Sequence, residues 1–325
     1  MDRIRAISLF CGCGGADLGL VGEFKYLGKK YASSGIEVIH ASDINAKAVA
    51  TYNLNFNHKA EEADVHSLKF KKHSADIVIG GFPCQAFSTV NPTKRPDDVG
   101  NQLFWQMARV IEQVRPKVII AENVKGFFAL GGGKYFDLAR QEFERLGYVM
   151  SYKIVKAMDF GIPQRRERLI MVGVRKSLKK VFEFPNPTHG EVKPLKKCSI
   201  LSDVIEELAI DNQRYYFSQR AVDGVKRAKP NMKRALAQDL NSQCLTVTSH
   251  LAKVSLNSRD PVLLVDAAKE LYRRFTPQEA ARIQSFPDDF IFHGSEADAY
   301  RQIGNAVPPV LMWHHAQAIV EQLFT

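Results

Sequence analysis

The chain carries five cysteines, Cys11, Cys13, Cys84, Cys198 and Cys244, and none belongs to a C-x-x-C pair of the kind that builds zinc or redox sites. Without a secretory leader they are expected to be reduced thiols. A lone cysteine most often serves as a small buried hydrophobe, so a reactive one needs a special setting. Cys84 has such a setting. It stands in Gly80-Gly-Phe-Pro-Cys-Gln-Ala-Phe-Ser88, directly after a strand-like apolar run, and Pro83 stiffens the chain beside it. The carboxyl end of a strand is where open α/β folds place their ligands. The next apolar run ends in Ala121-Glu-Asn-Val124, and Gln164-Arg-Arg-Glu-Arg168 leads into another. A thiol, a carboxylic acid and two arginines are therefore expected on one rim. Those residue types suit covalent catalysis, with a thiolate nucleophile and an acid beside it.

A second set points to a ligand. Phe10-Cys-Gly-Cys-Gly-Gly15 follows the first strand-like run, and glycines there let the backbone turn tightly and approach a bound molecule. The second strand ends at Asp43, positioned to accept ribose hydroxyls, and Asp64-Val65 ends the third unit. No Lys-Ser/Thr pair follows the glycines, which argues against a phosphate-cradling loop. A nucleoside without phosphates fits better, and S-adenosylmethionine is such a molecule.

The elements that must position these residues alternate. Strands are expected at Ile4–Leu9, Glu37–Ala41, Ile77–Gly80, Val118–Ala121, Val149–Val155 and Arg168–Val174. Helical patterns are clearest at Ala46–Phe56, Gln102–Val114 and Phe136–Leu146, which predicts β-α-β units on a parallel sheet. Phe184-Pro-Asn-Pro-Thr-His-Gly190 is the best boundary, and beyond it the period becomes irregular. Helices resume at Thr276–Ser285, with Pro277 suited to a first turn, and at Val310–Leu323. A chain of 325 residues can bury a sizeable core without disulfide or metal staples. No apolar run approaches the ~18 residues of a membrane span, and a net charge of +10 favours a polyanionic partner.

Taken in order, Phe10–Leu20, Phe82-Pro-Cys-Gln85, Glu122-Asn-Val124, Gln164–Arg168, Arg274–Phe290 and Gly304-Asn-Ala-Val-Pro308 resemble the motifs of the DNA cytosine-5 methyltransferases, in particular the compact bacterial modification enzymes. The resemblance covers residues 4–185 and 272–320. It implies an α/β fold: a Rossmann-like, class I S-adenosylmethionine-dependent large domain (1–187 plus 301–325) and a smaller, irregular domain (188–300). Target recognition would occupy about 188–272, and the motif helix and hinge 273–300. It implies Cys84 as nucleophile on carbon 6 of a flipped-out cytosine and Glu122 as the acid at N3. Arg166 and Arg168 would hold the base's carbonyl and help position the thiol, while Asn123 would hold the strand edge and loop in place. S-adenosylmethionine would meet Phe10, Gly12, Gly15, Asp43, Ile44, Asp64, Val65, Phe82, Pro83, Leu103, Asn305 and Ala306, leaving S-adenosylhomocysteine, with no metal.

Double-stranded DNA is the implied partner. Gln85, Ser88, Lys94, Arg95, Arg165 and Thr246 are candidate contacts, and the basic stretch Arg214–Arg234 adds Lys226, Arg227 and Lys229. Val99 stands where the family has a phosphate-contacting arginine, which is why Lys94 and Arg95 are considered. Cys11 and Cys13 suit a packed glycine loop. The type implies a monomer in a bacterial cytoplasm, associated with the nucleoid and paired with a restriction endonuclease of the same specificity. A tRNA cytosine-5 methyltransferase is the rival within the family, disfavoured by the compact recognition segment and the lack of that branch's Cys-Phe-Thr element. An inactive DNA-binding relative is disfavoured because Cys84, Glu122, Arg166 and Arg168 are all present.

Overall fold

A computed structural model describes residues 3–83, 102–192, 195–205, 207–227, 237–253 and 261–325. Its centre is a sheet of seven strands. In chain order these are β1 (Ile4–Leu9), β4 (Ile36–Asp43), β5 (Ala60–Glu62), β6 (Ile77–Gly80), β7 (Val118–Val124), β8 (Tyr148–Lys156) and β9 (Glu167–Arg175), with β2 (Phe24–Tyr26) and β3 (Lys29–Tyr31) forming a separate hairpin. The strands lie side by side as β5-β4-β1-β6-β7-β9-β8. All four residues of β6 are buried, as expected of a parallel strand covered on both faces.

Two apolar layers cover the sheet. One face packs against α1 (Gly15–Val21), α2 (Ala46–Asn55) and the last helix, through Leu20, Tyr52, Leu311 and Ile319. The other packs against α3 (Gln102–Val114) and α5 (Lys134–Arg145), through Phe104, Ile111, Ala139 and Phe143, with the short α4 (Lys125–Ala129) between them in sequence. A third cluster gathers Leu201, Val247 and Phe275 with α7 (Pro277–Ile283) and α8 (Glu296–Asn305). The irregular segment adds α6 (Gln219–Lys226) and a hairpin of β10 (Leu263–Asp266) and β11 (Leu271–Arg273), and α9 (Pro309–Leu323) closes the chain. Pro277 opens α7 as expected, and Thr276 and Glu279 cap each other's backbone there.

One expectation is corrected, and one expected boundary meets a continuous helix. The sheet is not wholly parallel: β9 runs antiparallel to both β7 and β8. Only residues 157–166 join β8 to β9, holding a single 3-10 turn at Ala157–Phe160, too short for a helical crossover. The domain limit at 300/301 falls inside α8, whose Ala299, Tyr300 and Ile303 share the third cluster. The chain returns to the first cluster at Val307, just before α9 begins.

Candidate active site

The glycine turn comes first. β1 ends at Leu9, and Phe10 and Gly12 take φ of 55° and 56° to swing the backbone beneath the sheet's carboxyl edge. Left-handed backbone at a non-glycine residue stores strain, and Phe10 carries it beside the cavity. A Cβ on Gly12 would meet nothing within 4 Å, so the turn leaves open space there. Gly15 makes a further close approach besides lining the cavity. A Cβ there would stand 2.6 Å from the Val307 carbonyl oxygen, so this glycine serves contact with the returning C-terminal segment.

Asp43, at the end of β4, is held from two sides. One carboxylate oxygen accepts from Gly12 N–H at 2.8 Å and the other from Asn45 N–H at 2.8 Å. Each oxygen keeps a second lone pair for a ligand hydroxyl. One oxygen of Asp64 accepts from His66 N–H at 3.0 Å and pairs with its ring Nδ1 at 2.6 Å, and these bonds draw the carboxyl below the usual range. Arg109 fixes the adjoining turn, donating to the carbonyls of Val65 and Leu68 at 2.8 and 2.9 Å. It lies 44 residues along the chain from Val65, and no local pattern marked it.

One cavity of about 620 Å³ is lined by all twelve residues expected at the cofactor. Ile44 is apolar yet 71% exposed at its edge, so it is no part of the core. Val65 and Phe82 are buried and line it as well, whereas Pro83 and Asn305 are exposed. Phe82 wedges against Phe104 and Phe127, and its carbonyl accepts from Asn123 Nδ2 at 3.0 Å. Asn123 thus anchors the segment that leads to Cys84, as expected. The lining also holds His66, Arg301 and Met312, which sequence reasoning missed.

The rim above this cavity is set by the direction of β9. Because β9 is antiparallel, Val124 at the end of β7 pairs with Arg168 near the start of β9. A parallel β9 would have put Arg168 on the opposite edge of the sheet. Arg168 Nε lies 2.9 Å from Glu122 Oε1, and both side chains are nearly buried. Burial raises the Glu122 carboxyl above its ordinary value, and the charges of Arg168 and Arg166 oppose the rise. A Cβ on Gly81 would sit 3.2 Å from Glu122 Oε2, so Gly81 leaves the carboxyl its space.

Arg166 sits behind that pair. It is fully buried and is not among the residues lining the cavity. Its guanidinium donates to the carbonyls of Val247 at 2.9 Å, Gly304 at 2.8 Å and Ala306 at 2.9 Å. Burial and the neighbouring Arg168 both disfavour its charge, which Glu122 partly offsets. Through these three bonds it fastens the segments together, while its buried Nε makes none among the described residues.

The buried thiols behave as packing groups. Burial pushes Cys13 up to about 12 and Cys11 well above its ordinary value, which keeps both protonated and unreactive near neutral pH. Cys244 is fully buried as well. On the recognition side, Arg165 and Arg227 are exposed and Thr246 is half-buried. Lys226 ends α6. Arg214, first of the basic stretch, pairs with Glu296 at 2.9 Å. Cys84, Gln85, Ser88, Lys94, Arg95 and Lys229 lie outside the described residues.

The family model for C-5 cytosine-specific DNA methylases matches residues 4–322. The type II methyltransferase M.BspRI of Lysinibacillus sphaericus is 33% identical, over 98% of this chain and 82% of its own length. M.BsuRI of Bacillus subtilis is 32% identical, over 95% and 78%. Among solved structures, the Dnmt2 methyltransferase of S. pombe aligns over 99% of this chain and 100% of its own, with a TM-score of 0.76 at 20% identity. The Entamoeba histolytica methyltransferase EhMeth covers 99% of each chain, with a TM-score of 0.74 at 18%. At those identities the two structures show a shared fold. The match over almost the whole chain answers the question the geometry raised: the chain belongs to the C-5 cytosine-specific DNA methylase family and is an S-adenosylmethionine-dependent DNA cytosine-5-methyltransferase.

Proposed function

We propose that Cys84, Glu122 and Arg168 are the catalytic residues, working on a cytosine turned out of the duplex above the cavity that holds the cofactor. The observation carrying this is the Glu122–Arg168 pair, 2.9 Å apart at the rim of that cavity. The Cys84 thiolate adds to carbon 6, and the ring electrons move towards N3 as Glu122 delivers its proton there. Carbon 5 becomes an enamine carbon and therefore nucleophilic. A raised carboxyl suits Glu122 to hold that proton near neutral pH. Arg168 keeps Glu122 in place and holds the base's carbonyl oxygen. Once carbon 5 is methylated a water takes its proton, the carbon–sulfur bond breaks to release the Cys84 thiolate as the ring double bond returns, and N3 gives its proton back to Glu122. Arg166 acts one step back, by fixing the segments on which the rim rests.

S-adenosylmethionine, when bound, supplies an electrophilic methyl group. The lining fits it: Asp43 takes the ribose hydroxyls, Asp64 the adenine amine, and Ile44, Phe10 and Val65 its ring. Gly12, Gly15, Asn305 and Ala306 surround the methionine end, with Phe82, Pro83 and Leu103 completing the wall. The chemistry uses no metal. Gln85, Ser88, Lys94, Arg95, Arg165 and Thr246 contact the strand around the flipped base, and Lys226, Arg227 and Lys229 its phosphates. The type II names of the relatives support a place in restriction–modification; the enzyme acts there as a monomer associated with the nucleoid and paired with an endonuclease of the same specificity.

Transfer of tritium from labelled S-adenosylmethionine to unmethylated DNA and to RNA tests the substrate. Label in DNA alone, at cytosine carbon 5, is expected; label in RNA alone would overturn the assignment.

A further inference from the structure

Four separated segments meet at a buried polar hub. Gln164, Arg166 and Gln284 are each fully buried. Val247 N–H donates to Gln164 Oε1 at 2.9 Å, and Gln164 Nε2 donates to Gln284 Oε1 at 2.7 Å. Gln284 Nε2 donates in turn to the Ala306 carbonyl at 2.6 Å. Every bond in this relay points the same way, so each polarises the next. Arg166 bridges the same two ends, donating to the carbonyls of both Val247 and Ala306. Between them the backbones touch: a Cβ on Gly304 would lie 2.2 Å from the carbonyl carbon of Thr248. Ala306 lines the cofactor cavity, and Val247 follows Thr246 in the segment read as facing DNA.

We infer that Gln284 is a positioning residue that couples the methionine end of the cofactor cavity to the 244–249 segment, so that cofactor and DNA each strengthen the other's binding. This rests on the proposed placement of both ligands. Packed interiors shift between discrete arrangements, and here Ala306 cannot move without displacing Gln284, Gln164 and the Val247 amide. Coupling of this kind is reciprocal and typically worth about 5–150-fold in affinity.

Gln284→Met tests it, because the groups this residue releases keep other partners. Gln164 Nε2 retains the Ile283 carbonyl, and the Ala306 carbonyl retains Arg166. The full chain is titrated with S-adenosylhomocysteine by calorimetry, and amide exchange of residues 244–249 is followed with and without that ligand. In the wild type the ligand alone slows exchange there by about 3-fold or more. The variant binds within about 3-fold of wild type but loses the slowing. Sheared unmethylated chromosomal DNA then tightens S-adenosylhomocysteine several-fold in the wild type and by a factor near one in the variant. Ligand binding without any response at 244–249 in the wild type, or full response in the variant, overturns the inference alone. No binding by the wild type overturns the cofactor reading and the inference with it.

Discussion

The cofactor half and the recognition segment are built by different rules. In the first, Asp43, Gly80 and Glu122 lie at or near the ends of β4, β6 and β7, parallel strands of one sheet, and the strand register alone brings them to one rim. Between α6 and β10 the described chain has turns, one 3-10 turn at Leu251–Lys253 and one isolated bridge, Cys244 with Gln164, fixed by side-chain bonds to backbone such as Gln238 Oε1 with Leu245 N–H. The frame proposed to hold the chemistry is rigid, while the segment proposed to read the target can change its side chains without disturbing that frame. The hub of Gln164, Arg166 and Gln284 is where the two meet.

The comparison predicts where substitutions cost rate and where they cost stability. Glu122→Gln keeps the shape but cannot deliver a proton, so kcat should fall by about 10²–10⁴ with cofactor affinity unchanged. A variant that stays active would move the acid elsewhere. Arg166→Met and Arg168→Met should separate cleanly. Arg166→Met strands buried carbonyls at about 1–3 kcal/mol each and should lower the denaturant midpoint markedly. Arg168→Met, where the freed Glu122 can take up a proton, should lower the midpoint less than Arg166→Met yet lose turnover. Equal destabilisation by both would dissolve the distinction between frame and rim.

A pH effect belongs to the rigid half. Asp17 is fully buried, accepting from Ser8 Oγ at 2.7 Å and Tyr52 Oη at 2.7 Å, which ties α1 to β1 and α2. Burial raises its carboxyl to about 6 against those two bonds. The folded state then binds its proton more tightly than the unfolded chain. The associated stability is complete below about pH 4 and lost as pH climbs through about 6, by about 3 kcal/mol. Thermal melts of Asp17→Asn should lack that slope; an unchanged slope would assign it to another group.

The smallest effect is expected on the recognition side. Neutralising Lys226, Arg227 and Lys229 together should weaken binding similarly on all duplexes and flatten the salt slope by about 2–3. A change in the methylated sequence would make them base readers.

Much of the frame was legible because its signals are local. Each expected strand appears within a few residues of its place, and Pro277 announces α7. The direction of β9 was readable in principle, since no helical pattern lies between Val155 and Arg168. The roles of Arg166 and Arg168 were not. They sit two residues apart in one motif, and what separates them is a set of carbonyl partners 81 to 140 residues away. Gln284 was hidden for the same reason. Without a period, 188–272 gave the chain no pattern to read.

The central claim is a covalent cysteine on that rim, and one measurement meets it directly. A duplex made with 5-fluorocytosine at every cytosine offers the target whatever its sequence, and carbon 5 then carries no removable proton. With S-adenosylmethionine the wild-type enzyme should stall as a denaturant-resistant adduct, and peptide mapping should find the base on Cys84, with none formed by Cys84→Ser. An adduct on another cysteine, or full methyl transfer by Cys84→Ser, would contradict the account.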